Sequence, residues 1–210
     1  MRRRARVLVA DPPWLFKDKL GERGAEANYS CLSLDNIKGF PLPPLDRNCW
    51  LFLWTVASMR EEGYEVLRAW EFAPTGGQLT WVKTTRDCVA IIDPHASSMD
   101  LDEMFEAFPI NERTSVRALF GRLAFGMGRT TRATDEVCLI GRRGKPERRS
   151  RSIRSVFFAP LGEHSAKPDR FYNLVEEFAD GPYVELFARR RRRGWTCCGD
   201  EVDERKRAVR

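Results

Sequence analysis

Apolar residues occur along this chain in short runs set between charged or glycine- and proline-rich stretches, and their spacing switches between two periods. Val7–Ala10, Cys49–Trp54, Gln78–Lys83, Glu136–Gly141, Val156–Phe158 and Tyr183–Phe187 are strand-length runs rich in β-branched and aromatic residues. Between them the period lengthens. Met59, Gly63, Val66, Leu67 and Trp70 repeat at helical spacing, and Ser58 with Glu61 three residues on forms a capping-box pattern, so Ser58–Trp70 is predicted to be an amphipathic helix. Phe171, Leu174, Val175 and Phe178 fall at i, i+3, i+4 and i+7, with Pro168 at an accepted first-turn position. Ser33 to Ile37 reads as a short capped helix, and Gly181-Pro182 ends the last one. Strands alternating with helices predict an α/β fold, with a parallel or mostly parallel sheet covered by helices on both faces.

One stretch breaks the alternation. Residues 84–123 carry the acidic segment Asp100 to Glu106 with Leu101, Met104 and Phe105 interspersed, and they read as an insertion in an otherwise regular domain spanning 1–210. Residues 1–6 and 203–210 read as charged tails, and Leu15 to Asn28 as a loop. A chain of 210 residues is long enough to bury a sizeable core, and no internal repeat is evident.

The first strand ends abruptly at Asp11-Pro12-Pro13-Trp14. Proline has no N–H for a sheet ladder, so pairing must stop at Pro12, leaving Asp11 at the carboxyl end of a strand. Open α/β sheets place their ligand crevice there. A carboxylate acceptor, carbonyls stiffened by two fixed φ angles and the π face of Trp14 suit a flat heterocycle bearing an amino group. An ordinary strand-ending turn would carry a glycine and no aromatic.

Charge narrows the class of partner. The formal net charge is +6 and arginine is strongly preferred over lysine, which suits a polyanion because guanidinium forks match phosphate oxygens; a solvated basic surface is the plain alternative. Six scattered cysteines without a C-x-x-C pair, and only two histidines, His95 and His164, argue against a zinc site and a disulfide framework, so no metal and a reduced compartment are expected. The run Cys49–Trp54 is far too short to span a membrane and the N-terminus lacks a signal-type apolar stretch. A soluble intracellular protein, cytoplasmic in location, is the expectation. No Ser/His/Asp arrangement, P-loop or G-x-G-x-x-G fingerprint is present.

Three features of the C-terminal third could bind a polar ligand. Lys167, in His164-Ser165-Ala166-Lys167-Pro168-Asp169 at a helix start, could meet a carboxylate or phosphate, or be a solvated lysine. Glu185 and Arg189, at the end of the last apolar strand, could hydrogen-bond a ligand or form an edge salt bridge. Arg189–Arg193, followed by Trp195 and Cys197-Cys198-Gly199-Asp200-Glu201, is a solvated charged face or a grip on a nucleic-acid backbone.

Asp11-Pro12-Pro13-Trp14 resembles the signature of methyltransferases that modify the exocyclic amine of adenine or cytosine. The fuller pattern resembles the MT-A-seventy family of S-adenosylmethionine-dependent N6-adenine methyltransferases. Four blocks match in order: Asp11–Trp14 with Tyr29; Leu51–Trp54 and Trp81–Thr84; Phe125–Arg129 with Arg132 and Glu136–Gly141; and His164–Asp169 with Glu185–Arg189. The resemblance implies a Rossmann-like methyltransferase fold with the catalytic motif preceding the cofactor motifs. Carried over by position, Asp11, Pro12, Pro13 and Trp14 form the catalytic site around the target nucleobase, with Tyr29, Arg129 and Arg132 also on the substrate. Asp11 accepts from the target amine, and Trp14 stacks on the base, which a duplex must flip out. Lys167 meets the methionine carboxylate of the donor, Glu185, Arg189, Asp200 and Glu201 surround its ribose and adenine, and Asp11 also touches its amino group. Three departures stand in the motifs: Ala166 replaces the family's usual Arg, Ala188 its glycine, and Asp200-Glu201 the Asn-Gln of mRNA-methylating members. The implied reaction is methyl transfer to adenine N6. DNA is favoured over RNA because the single domain is compact, without the zinc finger or long extensions of mRNA-methylating members. A catalytically silent nucleic-acid-binding partner is the alternative of another class, and a homo- or heterodimer is compatible with each.

Overall fold

The computed structural model describes residues 4–15, 31–85, 123–124, 131–162 and 166–202. Its elements follow in the order β1 (Ala5–Ala10), α1 (Leu34–Lys38), β2 (Leu45–Thr55), a 3₁₀ turn (Ala57–Met59), α2 (Arg60–Ala69), β3 (Ala73–Thr84), β4 (Asp135–Arg143), β5 (Val156–Pro160), α3 (Asp169–Phe178), β6 (Tyr183–Leu186) and β7 (Trp195–Cys198). The strands form one seven-stranded sheet in the order β5-β3-β4-β2-β1-β6-β7. The pairs β1–β2, β1–β6, β6–β7 and β3–β5 are parallel and β2–β4 is antiparallel. The expected α/β fold with a mostly parallel, Rossmann-like sheet is what the chain forms.

Backbone contacts divide the chain into two compact units, residues 1–79, 137–153 and 175–210 in the first, and 80–136 and 154–174 in the second. In the first unit, side-chain alternation sends Leu8, Leu51, Leu53, Leu139, Val184 and Leu186 into one core with Ile37 of α1 and Val66 and Leu67 of α2. These are buried apolar side chains worth about 1.5–3 kcal/mol each on complete burial. On the opposite face, Trp50 and Phe52 meet the ring of Phe178 edge-on, at centroid distances of 5.0 and 5.4 Å. Helices thus cover both faces of β2. In the second unit, Thr80–Thr84 pair in register with Val156–Pro160, and the indole of Trp81 donates to Ala159 O at 2.8 Å. No helix among the described residues is long and apolar enough to cross a membrane.

Two local expectations fail for physical reasons. Ser58 does not cap a helix: the 3₁₀ turn places it inside a helical turn, and α2 opens after Met59 with no side-chain cap, only Glu61 and Glu62 to complement its dipole. Ser33 does cap, accepting from Asn36 N at 3.2 Å. The strand at Trp195–Cys198 was not anticipated, because a four-residue strand with only Trp195 buried leaves almost no periodic signal beside five arginines. The stretch 84–123 lies outside the described residues except at its ends. There Thr84 and Leu123 form an antiparallel bridge, so the chain leaves and returns at one place.

Candidate active site

Register fixes where the motifs of the first unit meet. Ala10 lies level with Leu53 of β2 and Leu186 of β6, and Leu186 with Cys198 of β7, all in parallel strands. Asp11, Phe187 and Gly199 therefore leave the sheet side by side at its carboxyl edge. This is the edge at which open parallel sheets bind ligands.

The turn after β1 is built by its own backbone. Trp14 N donates to Pro12 O at 2.9 Å, an i to i+2 turn, and Leu32 N donates to Pro13 O at 2.8 Å. A carbonyl oxygen has two lone pairs, so Pro12 O keeps one. Trp14 is 5% exposed, and its indole N–H donates to Trp54 O at 3.1 Å. The stacking face expected of Trp14 is packed in the core. What the side chain does here is clamp the Asp11-Pro12-Pro13 turn to the end of β2, with Asp11 half-buried above it.

At the ends of β6 and β7 the chain closes on itself. Ala188 N donates to Cys198 O at 2.9 Å, and Val202 N to Gly199 O at 3.1 Å. Gly199 lies against the Phe187–Ala188 backbone: a Cβ there would meet Ala188 O and lie 2.6 Å from Ala188 N. Only glycine permits this approach. Phe187 adopts φ 60° and rests on the ring of Phe40, 4.6 Å away. Glu185 is 5% exposed, with the Cys197 thiol 4.0 Å from its Oε2. Burial, and then the neighbouring carboxylate, push that thiol above its ordinary value, which keeps it protonated and able to donate. Arg189 Nε lies 4.0 Å from Glu201 Oε1, and Asp200 is exposed beside them. Five sequence-predicted residues, Asp11, Glu185, Arg189, Asp200 and Glu201, thus belong to this one unit and strand edge.

Lys167 belongs to the second unit and is no solvated lysine. Only 8% of its side chain is exposed, and Nζ lies 3.1 Å from Glu136 Oε2, while Lys83 Nζ lies 2.7 Å from Glu136 Oε1. One carboxylate is shared by two ammoniums. Burial alone would raise the Glu136 carboxyl, but the Lys167 and Lys83 charges outweigh it and hold the group below the usual carboxylate range. Lys83 and Glu136 were not singled out from sequence. Their signal was a charge bounding an apolar strand run, Trp81-Val82-Lys83 and Glu136-Val137-Cys138.

Arg132 is exposed just ahead of β4, and Tyr29, Arg129 and His164 lie outside the described residues. Among the described residues no group of three or more His, Cys, Asp or Glu could hold a metal ion.

Comparison with known proteins gives one consistent answer. The MT-A70 family model matches residues 5–124 and 121–201. The N(6)-adenosine-methyltransferase MT-A70-like protein of Drosophila melanogaster is 25% identical over 94% of this chain and 27% of its own length. The N(6)-adenosine-methyltransferase catalytic subunit METTL3 of Homo sapiens is 25% identical over 94% of this chain and 28% of its own length. The chain thus spans about a quarter of these relatives. The type II methyltransferase M.MunI of Mycoplasma sp is 22% identical over 98% of this chain and 81% of its own length. MT-A70 methyltransferases use S-adenosylmethionine as methyl donor. With a family model covering residues 5–201 and the Asp-Pro-Pro-Trp turn at the carboxyl edge of its sheet, the chain belongs to the MT-A70 family.

Proposed function

We propose that this chain is an N6-adenine methyltransferase acting on DNA, and the observation that carries the chemistry is Asp11 held at the carboxyl edge of β1 by the clamped Pro12-Pro13-Trp14 turn. Asp11 accepts one hydrogen of the adenine amine, and the remaining lone pair of Pro12 O accepts the other. Their pull localises the nitrogen lone pair out of the ring plane. Bound at the site, S-adenosylmethionine supplies an electrophilic methyl on a sulfonium. With the donor bound, the amine lone pair would form the N–C bond as the C–S bond breaks and its electron pair stays on sulfur, and the methylated nitrogen would then pass a proton to Asp11 or to water. Alignment of amine and methyl, rather than a strong base, lowers the barrier.

Each unit offers side chains suited to part of the donor. In the second unit Lys167, beside Glu136, offers an ammonium for a carboxylate; in the first, Arg189 with Glu201 offers a donor and an acceptor for ribose hydroxyls. Glu185 and Asp200 add acceptors for the donor's polar edge, and Arg132, Arg129 and Tyr29 contribute to the substrate side.

DNA is supported by the alignment with the type II methyltransferase, which the chain covers over most of its length. RNA is the second reading, favoured by the N(6)-adenosine enzymes at slightly higher identity. Incubation with labelled S-adenosylmethionine and matched DNA and RNA oligonucleotides, followed by digestion to nucleosides, separates the two. Label in N6-methyldeoxyadenosine supports DNA, label in N6-methyladenosine overturns the choice of polymer, and N4-methylcytosine overturns the choice of base.

A further inference from the structure

The link between β6 and β7 is unusually short for parallel neighbours. Such pairs ordinarily need a crossover of a dozen or more residues, whereas here Phe187–Gly194 alone returns the chain. Five consecutive positions of the link, Arg189–Arg193, are arginine, with no acid among them. Both ends are pinned. Ala188 N bonds to Cys198 O at the carboxyl end of β7, and Trp195 N to Arg192 O, 3.2 Å, at its amino end. Gly194, at φ 82°, makes the turn into the strand. The arginines therefore descend the whole of β7, the edge strand of the sheet, starting two residues past Phe187, which is level with Asp11. A strand of that length rises roughly 10 Å.

Arg190, Arg191 and Arg193 are exposed, and Arg189 faces Glu201. The aromatic beside them is not available for stacking on a base. Trp195 is 9% exposed, lies stacked on Tyr183 at 4.7 Å and 16°, and its indole N–H donates to Glu176 Oε1 at 2.6 Å. What the link presents outward is positive charge.

We propose that the Phe187–Gly194 link is a phosphate track, on which Arg190, Arg191 and Arg193 hold the sugar–phosphate backbone of the strand whose target base reaches Asp11. The proposal rests on the enzymatic reading above for the identity of that base. Along one nucleic-acid strand charges recur about every 3.4 Å of helix axis, so a track of ~10 Å spans about three phosphates. Held through charge alone, the contact ignores base sequence and weakens steeply with salt.

The test is fluorescence anisotropy of labelled single-stranded DNA, duplex DNA and RNA with the full chain, from ~50 to ~200 mM salt. The wild type is compared with R190S/R191S/R193S and with R190K/R191K/R193K. Each lost contact to a single strand removes about 0.7 from the slope of log affinity against log salt. The serine variant is expected to lose about 2 in slope and on the order of a hundredfold in affinity near ~100 mM salt. The lysine variant keeps the slope, and S-adenosylmethionine binding by calorimetry is the same in all three. An unchanged slope in the serine variant overturns the track, as does a lysine variant that behaves like serine. Reduced binding of the serine variant to all three nucleic acids, with none of the three proteins transferring methyl, leaves the track standing and refutes the enzymatic reading. Methyl transfer with an unaltered slope does the reverse.

Discussion

Glu136→Gln keeps the shape of the side chain and removes only its charge, leaving Lys83 and Lys167 as two ammoniums facing an amide. At their separations of 2.7 and 3.1 Å, and an effective dielectric of ~20, each attraction is about 5–6 kcal/mol before desolvation is charged against it. Removing one partner of a buried pair costs about 3–5 kcal/mol net. Glu136 retains 20% of its side-chain exposure, which places the expected loss near the low end, about 3 kcal/mol. With a urea m-value of ~2 kcal/mol/M, the midpoint falls by about 1.5 M. The pH dependence has a definite sign. The carboxyl is held below its ordinary value of 4.5 in the folded protein. Its stabilisation is therefore complete above that value and is lost as pH falls through the depressed folded value. Urea melts at a series of pH values from neutral downward should show an acid limb in the wild type that is shallower in Glu136→Gln. A variant within ~0.5 kcal/mol of wild type, the scatter of an ordinary surface substitution, would refute the reasoning, as would an acid limb of equal depth.

Other perturbations probe the two motifs at the sheet edge. Trp14→Phe keeps most of the packing but leaves Trp54 O without its indole donor, an expected loss of about 1–3 kcal/mol, whereas Trp14→Ala should cost about 3–5 kcal/mol; thermal melts read both, and equal effects would contradict the clamp. Gly199→Ala drives a Cβ into the Ala188 backbone and should destabilise by about 1–3 kcal/mol while weakening S-adenosylmethionine binding; full affinity would show that the Phe187–Gly199 contact is irrelevant to the donor. Lys167→Met should weaken donor binding more than it lowers the unfolding free energy, and calorimetry beside denaturant melts separates the two.

How much was legible depended on how strongly each segment buries one face. The strands Val7–Ala10, Cys49–Trp54 and Glu136–Gly141 declare themselves because they are apolar on both sides, as central strands of a covered sheet must be. Prolines 12 and 13 end β1 where their missing N–H groups require. Leu45–Asn48 escaped because its residues are mostly polar, although it continues β2 past the irregularity between Ala5 and Val7. Asp11 was readable because its motif is local. The sharing of Glu136 by Lys83 and Lys167 was not, since it joins residues far apart in sequence and no period records that. Trp14 shows the same limit: its type announces an aromatic contact, and only the fold decides that Trp54 O and the core receive it.

Asp11 is the residue that acts on the target amine in the proposed reaction. Single-turnover methyl transfer by wild type and Asp11→Ala, with saturating donor and oligonucleotide, measures that role, alongside circular dichroism and donor binding on the same samples. Loss of a preorganised acceptor should slow the chemical step on the order of 10²–10³-fold, with the fold intact. A rate within a few-fold of wild type, or a loss matched by unfolding, would contradict it.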